Sequence, residues 1–396
     1  MARHATTRPA GICKADALHM PACALDIPRS CDMKFAASTG TTPLHSDPRM
    51  IVLKGFGGPE QLACAPMPGE YLSPGSSQML VRIVASSVNP IEWKMREGMG
   101  APRWLWRWRI GRQRVLGIDF AGTVAALGEN CRGWRNGDAV MGIRPYGGTY
   151  ADFALVDPAR AVVVHRPLGI SASSAGVVPW AGLTAFKALG RRSLAGRRVL
   201  IVGASGGVGH LAVQIARHCL NAALVVGIAG ARNSGFLRAC GAHVAIAHDR
   251  LADPIDILTY ARDWPGSFDL IVDLVGRDAY WTSLAPRLLR PDGLFVAVAV
   301  PALHPARAGE DLGTLAALKL LARLSVRRWS GRYRFVGGLM GELCDRRALQ
   351  RIADWMADGR LVPHIGRSYP LEQVAAAHRA CEAGVVTGKI GLSMQA

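Results

Sequence analysis

With 396 residues, half of them hydrophobic and only 19% charged, the chain can bury two cores of ordinary size and is too apolar for a solvated, disordered polymer. No run of roughly eighteen uncharged apolar residues occurs, because Lys319 and Arg323 break the richest segment, Leu312 to Leu324, so no membrane span is expected. The formal net charge of +18 admits a nucleic-acid partner, but arginine is high along the whole chain and no RNA-binding signature accompanies it, so none is expected.

Residues 1–49 show no sustained periodicity and carry six Lys or Arg against four Asp. They read as an N-terminal extension, either a transit peptide or an upstream start ahead of Met50. The nine cysteines form no C-x-x-C pair, and the first 30 residues lack a secretory apolar core. Reduced thiols in a cytoplasmic protein are expected, with mitochondria the alternative if residues 1–49 address it there.

From Met50 the text becomes short apolar runs cut by Gly, Pro and Asn: "QMLVRIVASSVNP", "FAGTVAALG", "GDAVMGI", "TYADFALV". That spacing predicts a β-rich first part over 50–171. Within it, "RWLWRWRIGRQR", Arg103 to Arg114, interleaves Trp and Arg and fits a half-buried strand or loop with snorkelling side chains. Over 172–340, after the helical "AGVVPWAGLTAFKALGRRS", strands and helices alternate: "RRVLIVGA", "AALVVGIAG", "AHVAIAHD", "FDLIVDLVG", "GLFVAVAV". Uncut apolar strands joined by helices predict a parallel sheet covered on both faces, an α/β doubly wound fold. The amphipathic "LGTLAALKLLARLSVRRW" within 301–334 reads as a dimer face or a lid. Residues 341–396 supply a helix around Arg347 to Asp358, another near Leu371 to Ala383 and the strand "GKIGLSM", a segment that returns to the first part.

The stretch "VLIVGASGGVGHLAVQIAR", Val199 to Arg217, carries the chemistry, and two motifs compete in it. Gly203, Ser205 and Gly207 satisfy G-x-S-x-G, a hydrolase nucleophile elbow, for which Asp273 with His304 or His364 can be nominated by position alone. A phosphate cradle explains more. Gly203 allows the tight turn, Gly206 and Gly207 let backbone N–H groups approach a pyrophosphate, and Gly209 permits close packing of a helix that starts near Gly207. At the end of the next strand, where an NAD site has an acid, stand Gly230 and, just beyond, Arg232. A guanidinium can fork onto a 2′-phosphate that a carboxylate would repel, so NADP(H) is the expected cofactor.

The text from Met50 onward resembles the zinc-independent medium-chain dehydrogenase/reductases, of the quinone oxidoreductase (zeta-crystallin-like) and enone reductase type. The resemblance rests on "GFGGPEQL", "ASSVNPIEWKMREG", "VLGIDFAGTVAALG", "GGTYADFALV", "VPWAGLTAFKAL", "GASGGVGHLAVQIAR", "ARNSGFLRACGA" and "GKIGL", in that family's order. It implies a discontinuous GroES-like β-rich catalytic domain (50–171 and 341–396), a Rossmann NADP-binding domain (172–340), an active site in the cleft between them, and a homodimer. It also implies Ser205, Gly207 and Val208 at the pyrophosphate, Thr184 near the nicotinamide, Arg232 at the 2′-phosphate and His248 near the adenosine phosphate. For the substrate oxygen it points to Asn89 and Lys94 of "VNPIEWK", with Tyr146 in a glycine-flanked loop nearby. Zinc relatives have Gly-His-Glu where this chain has Gly117-Ile118-Asp119, and isoleucine ligates no metal, so no metal site and no zinc are expected. The expected function is NADPH-dependent, zinc-free reduction of a small-molecule quinone or α,β-unsaturated carbonyl compound. The alternatives are an NADPH-binding protein with an RNA-binding or structural role, and the G-x-S-x-G hydrolase.

Overall fold

The computed structural model describes residues 47–98, 114–145, 147–250, 264, 266–299, 314–336 and 343–394, within one compact unit from His45 to Ala396. Among these residues no helix is long and apolar enough to cross a membrane. Most of the Trp-Arg stretch and the candidate residue Tyr146 lie outside the described residues.

The chain opens on an antiparallel ribbon, β1 (Arg49–Leu53) with β2 (Leu62–Pro66). Next comes β3 (Met79–Val88), almost wholly buried, as befits a central strand. Helix α1 (Pro90–Glu97) starts directly after it: Asn89 stays extended, Pro90 brings a preset φ to the first helical position, and the Glu92 carboxyl turns back onto the Asn89 N–H. It stops at Gly98, whose left-handed φ of 73° closes the last turn. β4 (Asp119–Leu127), β5 (Ala139–Ile143), β6 (Phe153–Val156) and β7 (Val162–His165) follow.

Two helices, α2 (Ala172–Gly176) and α3 (Pro179–Leu189), lead into the second part. There β8 (Arg198–Val202), α4 (Gly209–Gln214), β9 (Leu224–Ala229), α5 (Ser234–Ala239), β10 (Val244–Ala247) and β11 (Phe268–Asp273) alternate. α6 (Ala285–Leu288), β12 (Leu289–Ala297), α7 (Thr314–Trp329) and β13 (Tyr333–Phe335) complete it. All six strands are parallel, in the order β10-β9-β8-β11-β12-β13. Counted from β8 that order is 3-2-1-4-5-6, the doubly wound dinucleotide-binding arrangement, whose ligand crevice opens beyond the carboxyl ends of the first and fourth strands.

The last segment contributes α8 (Arg346–Ala357), β14 (Ile365–Pro370), α9 (Val374–Glu382) and β15 (Lys389–Ser393). β15 runs antiparallel to β3, with Ile390 opposite Val88, in a seven-stranded sheet ordered β14-β15-β3-β4-β5-β7, with β6 also on β3. A strand from the end of the chain therefore completes a sheet begun near its start, and the β-rich domain is discontinuous. The sequence reading placed one strand in this segment; β14 is the second. The edge-to-face contact of Phe186 with Trp355, centroids 5.2 Å apart, packs α8 on α3.

Candidate active site

The carboxyl ends of β8 and β11 open into a cleft of about 330 Å³ lined from both domains. Gly203 makes the turn after β8 at a φ of 79°, with its N–H on the Ile228 carbonyl at 3.0 Å. The first helical bond runs from the His210 N–H to the Gly206 carbonyl at 3.1 Å, so the helical turn begins at Gly206, ahead of α4 proper. A Cβ on Gly209 would stand 2.2 Å from the Gly203 carbonyl oxygen, which is why only glycine lets the helix sit this close to the strand end. Gly206, Gly207 and Val208 all line the cleft. A methyl group on Gly206 would meet only the Gly203 oxygen at 3.5 Å, so an open cradle over this turn suits a pyrophosphate.

His210 fixes the turn from beneath. Its buried ring accepts the His364 N–H on Nε2 at 3.1 Å and therefore donates from Nδ1 to the Gly206 carbonyl at 2.9 Å. Burial holds the ring neutral, with its pKa pushed down to about 4. The return segment docks on the same turn: the Gly388 N–H donates to the Ser205 carbonyl at 2.9 Å, and the Lys389 N–H to the His364 carbonyl at 2.8 Å.

Lys389 is the centre of the opposite end. Only 3% of it is exposed, its stem lies against Gly207, and its ammonium donates to Asn89 Oδ1 and stands 3.7 Å from Asp119 Oδ2. The Asn89 amide donates to Asp119 Oδ2 at 2.9 Å, and Ser87 to the same oxygen at 2.5 Å. Asp119 Oδ1 accepts the Trp180 N–H at 2.6 Å, which ties α3 to β4. Below them Glu92 accepts the Ile118 N–H at 2.7 Å, and burial, with Asp119 nearby, raises its pKa to about 8. A protonated Glu92 leaves one ammonium facing one carboxylate in this pocket, a charge-matched arrangement that burial favours.

Lys94, on α1, also lines the cleft and is nearly buried, with its ammonium 5.6 Å from the Trp93 ring centroid. Burial pushes its pKa down to about 8, so it holds a proton at neutral pH that it can release. Cys381 shares this end, and burial raises its thiol to about 12.

The structure thus brings Asn89, Lys94, Thr184, Gly206, Gly207 and Val208 into one cleft. The Asn89 amide, expected to meet the substrate oxygen, is instead turned inward onto Asp119 and Lys389. Thr184 lines the cleft from α3, with its hydroxyl on the Trp180 carbonyl at 2.8 Å. Ser205 stands behind the turn and accepts the Asn233 amide at 3.1 Å, and Thr387 in turn donates to Asn233 at 2.8 Å. Gly230 follows β9 in extended backbone, Arg232 donates to the Val385 carbonyl at 3.1 Å, and His248 is exposed after β10. Among the described residues the nominated hydrolase groups Ser205, Asp273 and His364 do not meet. Asp273 accepts the N–H groups of Val275 and Gly276 at 2.9 Å each, His364 packs on Phe236, and His304 lies outside the described residues.

Sequence reasoning missed Lys389, Asp119 and Glu92 as site residues. "GKIGL" and "GIDFAG" were both in view, but Lys389 and Asn89 are 300 positions apart, and only the β15–β3 pairing joins them.

A family model described as alcohol dehydrogenase GroES-like domain matches residues 75–167, and one described as zinc-binding dehydrogenase matches 240–391. A trans-enoyl reductase of Aspergillus terreus is 30% identical over 253 residues, which cover 61% of this chain and 67% of that protein. A chloroplast envelope quinone oxidoreductase homolog of Arabidopsis thaliana is 34% identical over 183 residues, 43% of this chain and about half (52%) of that protein. The structure of Escherichia coli quinone oxidoreductase complexed with NADPH superposes with a TM-score of 0.68 over 87% of this chain and 99% of that one, at 23% identity, a likeness of fold. Among the described residues of the cleft, the zinc named in one family description finds no fitting donor set. Ile118 has no donor atom, Asp119 is bound to an ammonium and three hydrogen-bond donors, and the Cys381 thiol is held protonated. Among the described residues no group of three His, Cys, Asp or Glu is placed to hold a metal ion.

Proposed function

This chain belongs to the medium-chain dehydrogenase/reductase family, among its quinone oxidoreductases and enoyl reductases, and from that footing we propose that it is an NADPH-dependent reductase of quinones or α,β-unsaturated carbonyl compounds. One observation carries the reading: the glycine cradle at the switch point of the parallel sheet opens onto two buried lysines, Lys94 and Lys389, in a single cleft. Gly206, Gly207 and Val208 hold the pyrophosphate on backbone N–H groups, Thr184 borders the nicotinamide end, and Arg232, beside Gly230, receives the 2′-phosphate. His248 stands on the adenosine side of that pocket. Bound there, the reduced nicotinamide supplies the hydride.

The chain's own residues handle charge and proton. Lys389, fixed by Asn89 and Asp119, keeps a positive charge at the floor of the cleft, where it steadies the substrate oxygen as that oxygen gains electrons. Lys94 delivers the proton, because an ammonium with a pKa of about 8 gives it up readily near neutral pH. A simple ketone needs a stronger electrophile than two ammonium groups to be polarised, whereas a quinone or enone carbon is already electron-poor. The proposed assembly is a homodimer working on a small molecule, without zinc.

A pH profile tests the proton donor. Activity that needs protonated Lys94 falls as pH rises through about 8. Lys94→Met lowers kcat/KM by about 10- to 100-fold and removes that limb, while Lys94→Arg, which stays charged, moves the limb out of range. A profile of Lys94→Met that keeps the wild-type limb assigns the proton to another group.

A further inference from the structure

Beside the turn after β9, where the proposed coenzyme's adenosine would rest, stands a carboxylate that the proposed function leaves unused. Asp249 stands in the helical turn His248–Arg250 that follows β10, 18 positions after Ala231, and reaches back to the end of β9. Its Oδ1 accepts the Ala231 N–H at 2.8 Å, and its Oδ2 lies 3.6 Å from where a Cβ on Gly230 would stand. In a sheet of this order the end of the second strand is where the adenosine ribose rests, and the acid that binds its 2′-hydroxyl is usually supplied by that strand itself. Here Gly230 follows the second strand, and the carboxylate comes from the turn after the third strand. Arg232 follows Gly230 by two positions but is held on the Val385 carbonyl, and among the described residues the two opposite charges make no ion pair with each other. Both side chains are exposed, so each presents its own charge to whatever enters.

We propose that Asp249 tempers the preference for NADPH: it accepts the ribose 2′-hydroxyl of NADH and opposes the 2′-phosphate that Arg232 attracts, so that NADH binds as a second, weaker coenzyme. The proposal rests on the dinucleotide reading of the cleft. Asp249→Asn is the informative change, because its amide oxygen still accepts the Ala231 N–H and keeps the turn in place while the charge is removed.

Calorimetric titration of NADPH and of NADH into the whole protein reads the effect without turnover. Asp249→Asn tightens NADPH about fivefold and weakens NADH about two- to fivefold, and the NADPH gain shrinks at high salt, as expected of an exposed charge. Arg232→Ala acts in the opposite sense, weakening NADPH about tenfold and leaving NADH within about twofold. If Asp249→Asn binds the two coenzymes in the wild-type ratio, the assignment of Asp249 is overturned while the dinucleotide site stands. If the wild type binds neither coenzyme, both fall together.

Discussion

Lys389→Met lowers kcat/KM for a quinone or enal by about 10²- to 10³-fold, the range set by loss of one preorganised charge at a reacting oxygen. Two separable losses contribute. The first is functional: the ammonium held by Asn89 and Asp119 disappears from the cleft floor, and the proposed substrate oxygen loses an attracting charge. The second is structural: Asp119 is fully buried, and stripping it of its cation costs about 3–5 kcal/mol as an unpaired interior charge. The double variant Lys389→Met with Asp119→Asn removes both charges and returns part of the lost stability, measured by thermal unfolding. Its turnover stays low. Recovery of turnover together with stability would reduce Lys389 to a structural cation.

Gly209→Ala loses at least about 1–3 kcal/mol of stability and about tenfold or more in NADPH affinity, because its new methyl group collides with backbone. The nearest atom, the Gly203 carbonyl oxygen at 2.2 Å, belongs to the turn of the glycine cradle, so relief of the clash moves the N–H groups proposed to hold the pyrophosphate. Gly206→Ala separates the two effects. Its Cβ meets only ordinary contact at 3.5 Å, so stability stays within about 0.5 kcal/mol while coenzyme affinity falls, since the methyl group points into the cleft lining. Equal affinity of wild type and Gly206→Ala for NADPH would place the pyrophosphate elsewhere.

Regular elements with a strong pattern were legible. β8, β9 and β11 are buried on both faces, and their uncut apolar text announced a covered parallel sheet. β14 was not, because "IGRSYP" is a half-exposed edge strand with no apolar alternation; only its pairing with β15 makes it a strand. β13 was not either, because three residues are too short a run to carry a pattern. At the site, the glycines were readable because their spacing is local and their need for close backbone approach is specific to the residue type. The Lys389–Asn89–Asp119 group was not, since it joins three stretches far apart in sequence that meet only on neighbouring strands of one sheet. Nor does an Asn-Pro dipeptide reveal which way the asparagine amide turns. Asp249 escaped notice because a search of the second strand for an acid does not extend to the third.

The hydrolase alternative loses support from the geometry around Ser205, whose hydroxyl accepts the Asn233 amide and, among the described residues, meets neither His364 nor Asp273. A purely binding role predicts NADPH capture with no consumption. The most direct measurement follows the absorbance of reduced nicotinamide while purified protein meets quinones, enals and simple ketones, with and without a chelator. The proposed zinc-free reductase consumes NADPH with quinones or enals and little with simple ketones, at rates that the chelator leaves unchanged. No consumption with any acceptor, or ketone reduction that the chelator abolishes, would contradict the proposed function.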